Sequence, residues 1–515
     1  MKAAGLPDPF PARPDGPDER PAITQNGRSR LPTVTVGLDI GTTGVKAVAV
    51  GLDGEIVGRA ERGYALSTPR PGWSEQDPDD WWTATRAALA DLGPLEIAGI
   101  GLSGQMHGLV ALDSADRVIR PAILWNDQRT ATECTEIEER IGLDRLIALT
   151  GNRALTGFTA PKLLWLRRHE PEAFGRITRI MLPKDYVRLR LTGEWATDVA
   201  DASGTLLLDV ARRSWSAEVL DALDLDPALL PPVLESPEFA GVTIACDEVS
   251  QGIPVAAGAG DCAAAALGVG IDRPGPLSIV MGTSGVVFAA LPAFASDPQA
   301  RVHAFCHAVP GQWHAMGVML SAAGSLQWLR DRLAPEASFA RLVAEAEAWG
   351  PGVDGLLFAP YLAGERTPHA DPSARAAFTG LELRHDRGAL VRAVLEGVAF
   401  GLRDSLELVR ALGGPADLAR ASGGGAQGLW LRIVASVLGL PIELTAVEGG
   451  SAYGAALLGG VAGGMFADVP EAVGRCVRVR ATVEPDPAWQ AIYAETYARF
   501  RALYPALDTV KERTG

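Results

Sequence analysis

At 515 residues the chain exceeds what one hydrophobic core accommodates, so two large domains are expected. Apolar residues make up 47% and charged residues 21%, a globular balance that excludes a disordered chain. A net charge of -15 argues against nucleic acid or an anionic membrane as a partner and leaves only small anions, held in a local backbone cradle.

The segment 1–31 is rich in Pro, Asp and Arg, lacks the apolar core of a secretory signal, and reads as a mobile tail. No run approaches the ~20 apolar residues of a membrane-spanning helix. Five cysteines are scattered without a C-x-x-C pair, which points to the cytoplasm and away from disulfide or zinc frameworks. The first unit is a meander: strand Val34 to Asp39, the turn Gly41-Thr42-Thr43-Gly44, strand Val45 to Val50, an Asp53-Gly54 hairpin signal and a strand from Glu55. Helical periodicity follows over Pro78 to Leu92, then a buried strand ending at Ser103-Gly104. Helices dominate Thr130 to Leu191, and a small-residue turn spans Asp198 to Gly204. "PVAAGAGDCAAAALGVG" reads as strand, glycine turn, Asp261 and a small-residue helix, with turn chemistry at Asp272 to Gly275. Next comes "LSIVMGTSGVVFAAL", which repeats the opening strand-turn-strand pattern roughly 240 residues downstream. "HAFCHAVPGQWH" carries three histidines and a cysteine, but its alternation predicts a hairpin rather than a metal site. "ARASGGGAQGLWLRIVASVLGLPI" places Gly423 to Gly425 between a strand and an amphipathic helix. Strands and helices alternate, so the class is α/β.

A Gly-Thr-Thr-Gly turn presents consecutive N–H groups and hydroxyls to one point, which suits phosphate oxygens; as a single copy it equally describes a plain hairpin. Two copies facing across a cleft would hold a polyphosphate from both sides, and Asp39 would supply a carboxylate to the accompanying magnesium. Asp261 before an alanine-rich run reads as a helix N-cap, as a general base for phosphoryl transfer, or as both. His107 and Trp125 sit near strand ends, where packing roles are the commoner ones.

"DIGTTGVKAV", "PGWSEQDPDDWW", "GLSGQMHGLV", "RPAILWNDQR", "GFTAPKLLWLRRHEPE", "LPKDYVRLRLTGE", "MGTSGVVFA", "YLAGERTPHADP" and "LEGVAFGLRD" together resemble the FGGY family of carbohydrate kinases, its xylulose-phosphorylating members above all. The resemblance runs from about Val36 to the C-terminal region. It implies two actin-like, ribonuclease-H-like ATPase domains facing each other across a cleft, a sugar-binding one over 32–273 and a nucleotide-binding one over 274–505. It further implies ATP and magnesium as cofactors, with Asp261 as base and Asp39 near the metal and the transferring phosphate. Met106, His107, Trp125 and Asp261 would contact the sugar. Thr42, Thr43, Gly282, Thr283, Ser284, Gln327, Gly423, Gly424 and Gln427 would contact nucleotide. The expected substrate is D-xylulose, because "GQMHG" stands where glycerol kinases resemble Gln-Arg-Glu. Cys262 departs from the Asn usual beside the base, which opens the alternative of another pentulose or a sugar alcohol. A nucleotide- and sugar-binding sensor without efficient transfer is the alternative from another class, and a homodimer is a candidate assembly that the sequence itself does not decide.

Overall fold

The computed structural model describes residues 31–510, so the expected mobile tail lies, but for Leu31, outside the described residues. Strand β1 (Thr33–Ile40) buries Val34, Val36, Leu38 and Ile40 completely, and Thr35 from the alternate register is buried too. Such a strand is covered on both faces. It continues through the expected turn into β2 (Gly44–Val50) and β3 (Ile56–Gly63), an antiparallel meander with Asp39 opposite Lys46 and Lys46 opposite Glu61. Helix α1 (Pro78–Asp91) opens with Asp77 accepting from the Asp79 N–H and Pro78 in its first turn, where the missing N–H costs nothing. Strand β4 (Glu96–Gly104) returns parallel to β1.

A helical region containing α2 (Thr159–His169) intervenes before β5 (Phe239–Val242), β6 (Pro254–Ala256) and β7 (Ala259–Gly260) complete the first sheet. Its order is β5-β6-β4-β1-β2-β3, with β7 also paired to β4. Helix α3 (Asp261–Gly268) leaves directly from β7. The second sheet is built from β8 (Gly275–Met281), β9 (Gly285–Leu291), β10 (His303–Cys306) and β11 (Trp313–Met319), followed by helices α4 (Ala323–Leu333) and α5 (Arg387–Ala411). It is completed by β12 (Ala416–Ser422), helix α6 (Gly428–Leu438), β13 (Ile442–Thr445), helix α7 (Gly450–Ala462) and β14 (Val479–Val483). Its order is β10-β11-β9-β8-β12-β13-β14. In both sheets an antiparallel meander is followed by two parallel strands and an antiparallel edge, so the echoed motif is the visible part of a duplicated topology.

Two contacts join the halves. Helix α7, late in the chain, packs on β1 and β4 of the first sheet. Its Gly-Ala face sits on strand backbone: a Cβ at Gly37 would stand 1.8 Å from the Ala452 carbonyl oxygen, and one at Gly101 1.9 Å from that of Ala455. On the other side, Leu149 and Phe158 share one apolar cluster with Phe288, Phe305 and Met316, and the Cys306 N–H donates to Ser203 Oγ at 3.0 Å. The histidine-rich segment forms the expected hairpin β10–β11, with His314 stacked on Phe288 at 4.2 Å and His303 on Phe305 at 5.5 Å. Burial holds His303, His307 and His314 below the ordinary imidazole range.

Candidate active site

Strand register assembles the acidic centre. Asp39 pairs with Ser103 and Ile40 with Gly104 on one side of β4, while Ala259 pairs with Ser103 and Gly260 with Gly104 on the other. β1 and β7 therefore end level with each other, two inter-strand spacings or about 10 Å apart. Asp39 occupies one end and Asp261 the first position past the other. Ser103 Oγ donates to Asp39 Oδ1 at 2.7 Å, and burial, only partly offset by that bond and by Lys46, raises the Asp39 carboxyl above its usual range. Burial and then the charge of Asp39 push Asp261 up to about 7. Asp261 does not cap its helix as the sequence suggests: Gly260 is the N-cap, and Asp261 is the first helical residue, taking the Cys262 N–H on Oδ1 at 2.7 Å. The physical reason is that β7 stays extended through Gly260, so the helix begins one residue later than an Asp cap requires.

Next to this centre the chain runs Gln105-Met106-His107. His107 has a left-handed backbone, φ 70°, and its carbonyl accepts from Lys162 Nζ at 2.7 Å and Thr159 Oγ1 at 3.1 Å. Lys162 also donates to the Gly157 carbonyl at 2.7 Å, tying down the segment whose Phe158 ring stacks on His107 at 4.5 Å. Burial pushes the imidazole down to about 3, so it is neutral. Nδ1–H donates to the Gly204 carbonyl at 2.5 Å, which leaves Nε2 as an acceptor. Met106 is buried in the apolar cluster that half-buried Cys262, Val286 and Val318 also join.

Thr42 belongs to a hydrogen-bond network. Its Oγ1 donates to Gln105 Oε1 at 3.3 Å and accepts from Trp125 Nε1 at 3.0 Å, while its carbonyl takes Gln76 Nε2 at 2.7 Å. A residue expected at the nucleotide and one expected at the sugar are thus in direct contact. Thr43 is exposed at the tip of the turn.

On the second sheet, β8 and β12 run parallel with Val280 opposite Ser422, so the turns that follow them share a rim. The Gly425 N–H donates to the Met281 carbonyl at 3.0 Å, and a Cβ at Gly423 would stand 2.7 Å from that oxygen. The Gly282 and Thr283 carbonyls accept from Ala323 and Ala322 at 2.8 Å each, seating this turn at the start of α4. Ser284 Oγ donates to the Leu320 carbonyl at 3.3 Å, and Gln427 Nε2 to that of Gly424 at 3.1 Å. Gln327 is exposed on α4. A cavity of about 670 Å³ lies between the sheets, lined by Asp39, Lys46 and Arg59 on one side, Ser422, Gly423 and Ala426 on the other, and Gly450 at the start of α7. Of the expected site residues only Asp39 and Gly423 line it; Asp261, Met106, His107, Trp125, Thr42, Thr43, Gly282, Thr283, Ser284, Gln327, Gly424 and Gln427 are outside its lining.

Two sheets of one topology, with a cavity between them lined by Asp39 from the first and Gly423 from the second, define an actin-like, ribonuclease-H-like ATPase fold. The chain belongs to the FGGY family of carbohydrate kinases: the profile of its N-terminal domain matches residues 34–268 and that of its C-terminal domain residues 277–463. It is 42% identical to the xylulose kinase of Escherichia coli (strain K12) over 483 residues, which cover 92% of this chain and 99% of that protein. It is 43% identical to the xylulose kinase of Klebsiella pneumoniae, with 92% and 100% covered. The crystal structure of a xyloylose kinase from Brucella ovis superposes with a TM-score of 0.87 at 43% identity, over 93% of this chain and 100% of that one.

Sequence reasoning gave no role to Ser103, Gln105, Gln76 or Lys162, although each lies in or beside a stretch carrying the family resemblance. A signal existed for Ser103, since it ends a buried strand as Asp39 does. Nothing local marks Lys162, whose acceptors lie in other segments.

Proposed function

We propose that the protein transfers the γ-phosphoryl group of ATP to the 5-hydroxyl of D-xylulose, with residues 32–273 holding the sugar, residues 274–505 the nucleotide, and Asp261 acting as general base. The observation that carries this reading is the level ending of β1 and β7, which sets Asp39 and Asp261 about 10 Å apart on one edge of the sheet; burial first, and the charge of Asp39 second, raise Asp261 to about 7. A base with that pKa accepts a proton at working pH without holding it too weakly. In the step, Asp261 takes the proton of the 5-hydroxyl, the sugar oxygen bonds to the γ-phosphorus, and the bond from that phosphorus to the bridging oxygen breaks to release ADP. His107 Nε2 accepts from a sugar hydroxyl, and the network around Thr42 holds the first turn in shape. Asp39, half-buried and anchored through one oxygen by Ser103, is the donor type a hard divalent cation takes. Magnesium bound there supplies neutralisation of phosphate charge.

A panel of pentuloses, glycerol and five-carbon alditols in a coupled ADP-release assay tests the substrate. D-xylulose is expected to be turned over fastest; faster turnover of another pentulose or an alditol would favour the second reading, which the half-buried Cys262 in the Met106 cluster supports. Asp261→Asn is expected to lower transfer about 1000-fold with ATP affinity unchanged. Retained turnover would exclude Asp261 as the base, and ATP binding without any sugar-stimulated transfer in the wild type would favour a sensor.

A further inference from the structure

Arg366 is a cation beside His303 with no place in the mechanism above. The segment Glu365-Arg366-Thr367 is strapped along β11: the Leu320 N–H donates to Glu365 Oε1 at 2.9 Å, the Val318 N–H to Thr367 Oγ1 at 3.0 Å, and the Thr367 N–H to the Val318 carbonyl at 3.0 Å. Thr367 Oγ1 also donates to the Arg301 carbonyl at 2.7 Å. Val318 lies opposite Val286 in the sheet, and both belong to the apolar cluster that also takes in Cys262 and Met106. The side chain of Arg366 reaches solvent, whereas Glu365 and Thr367 on either side are buried, yet enough protein surrounds the guanidinium for burial to lower it from its usual range.

Its Nη1 lies 3.4 Å from His303 Nε2. His303 donates Nδ1–H to Asn152 Oδ1 at 2.7 Å, so Nε2 is the acceptor and takes a single guanidinium hydrogen. Two aromatic contacts, His303 to Phe158 at 6.0 Å and Phe158 to His107 at 4.5 Å, connect this position to the sugar histidine. The positive charge of Arg366 bears on His107 and His303, while the charge bearing on Asp261 is that of Asp39. Arg366 therefore stands on the His107 and His303 side, two ring contacts from the residue assigned to the sugar.

We propose that Arg366 reads the carbonyl end of the sugar, donating to the C2 carbonyl oxygen and the C1 hydroxyl of an open-chain 2-ketose whose terminal hydroxyl faces Asp261. This assignment rests on the functional reading above. A guanidinium only donates, and a ketone oxygen only accepts, so the pair matches a ketose and gains less from an alditol, whose C2 hydroxyl brings a hydrogen of its own. A 2-ketopentose also closes its C5 hydroxyl onto C2 to form a furanose; holding the carbonyl selects the open chain, in which the acceptor hydroxyl is free.

The test compares wild type with Arg366→Met and Arg366→Lys, using D-xylulose as substrate and the matching five-carbon alditol as competitive inhibitor. In Arg366→Met the ketose kcat/KM is expected to fall about 100-fold while the alditol inhibition constant changes less than about threefold. Arg366→Lys, which keeps the charge but not the planar fork, is expected to fall between the two. Equal losses for ketose and alditol, or an unchanged ketose kcat/KM in either variant, would overturn the assignment. Wild-type protein that does not turn over D-xylulose would overturn the functional reading, and this assignment with it. Wild-type turnover with an unchanged ketose preference in both variants would overturn the assignment of Arg366 alone.

Discussion

A carboxylate that accepts two backbone N–H groups ordinarily ionises readily, yet burial outweighs both bonds at Glu365 and pushes it up to about 8. Its unfolded-state value is near the ordinary glutamate value of 4.5. Between those values the folded protein holds a proton that the unfolded chain has lost, so stability declines as pH rises from about 4.5 to 8. Glu365→Gln keeps the acceptor oxygen and does not titrate. Thermal melting should therefore show the variant matching wild type near pH 4.5 and exceeding it by about 2 kcal/mol at pH 8.5, a figure well below the full shift because surrounding groups relax. His107 makes a complementary case. Its ring can be replaced by Phe without losing the stack on Phe158, but the Nε2 acceptor and the Nδ1–H bond to the Gly204 carbonyl both disappear. Sugar kcat/KM is expected to fall about 100-fold in His107→Phe with the KM for ATP unchanged, which initial-rate kinetics would check.

Helix α7 and the strands beneath it hold each other by backbone approach. A methyl at Gly101 has to displace the Ala455 carbonyl rather than a flexible side chain, so Gly101→Ala is expected to cost about 3 kcal/mol in a denaturant titration. The Tyr453 hydroxyl, on the same helix, lies 2.7 Å from the Gly54 carbonyl and 3.0 Å from that of Cys476 and shares its one hydrogen between them. Tyr453→Phe removes that donor and should lower stability by about 1–2 kcal/mol. These elements also mark where sequence reading succeeds and stops. The meander, the echoed turn and the hairpin at β10–β11 were legible because short apolar runs bounded by turn residues are local signals. That α7 would lie on the first sheet was not, since its small-residue face has no directional signature and its partner is far away in the chain. Asp39 was legible as a strand-end carboxylate and Asp261 as one at a helix start, but their common level depends on pairing through β4. Arg366 escaped notice because its environment is set by β11 and by His303, segments with which it shares no pattern.

At the scale of the molecule, the halves meet along α7 on one side and along the Phe158–Phe305 cluster on the other, with the cavity between the sheets. Ligands gripped from both sheets should draw the halves together: small-angle scattering is expected to show a radius of gyration smaller by about 1 Å with D-xylulose and a non-hydrolysable ATP analogue than with neither. Trp125, exposed and bonded to Thr42, offers a fluorescence report of the same event.

The position of α7 also governs how the polypeptide is made. Strands β1 and β4 leave the ribosome roughly 350 residues before Gly450–Ala462 is synthesised, so their glycine-lined face waits uncovered through most of translation. A nascent N-terminal half cannot complete its own interior, and a stop codon anywhere before residue 450 damages the part of the protein already built.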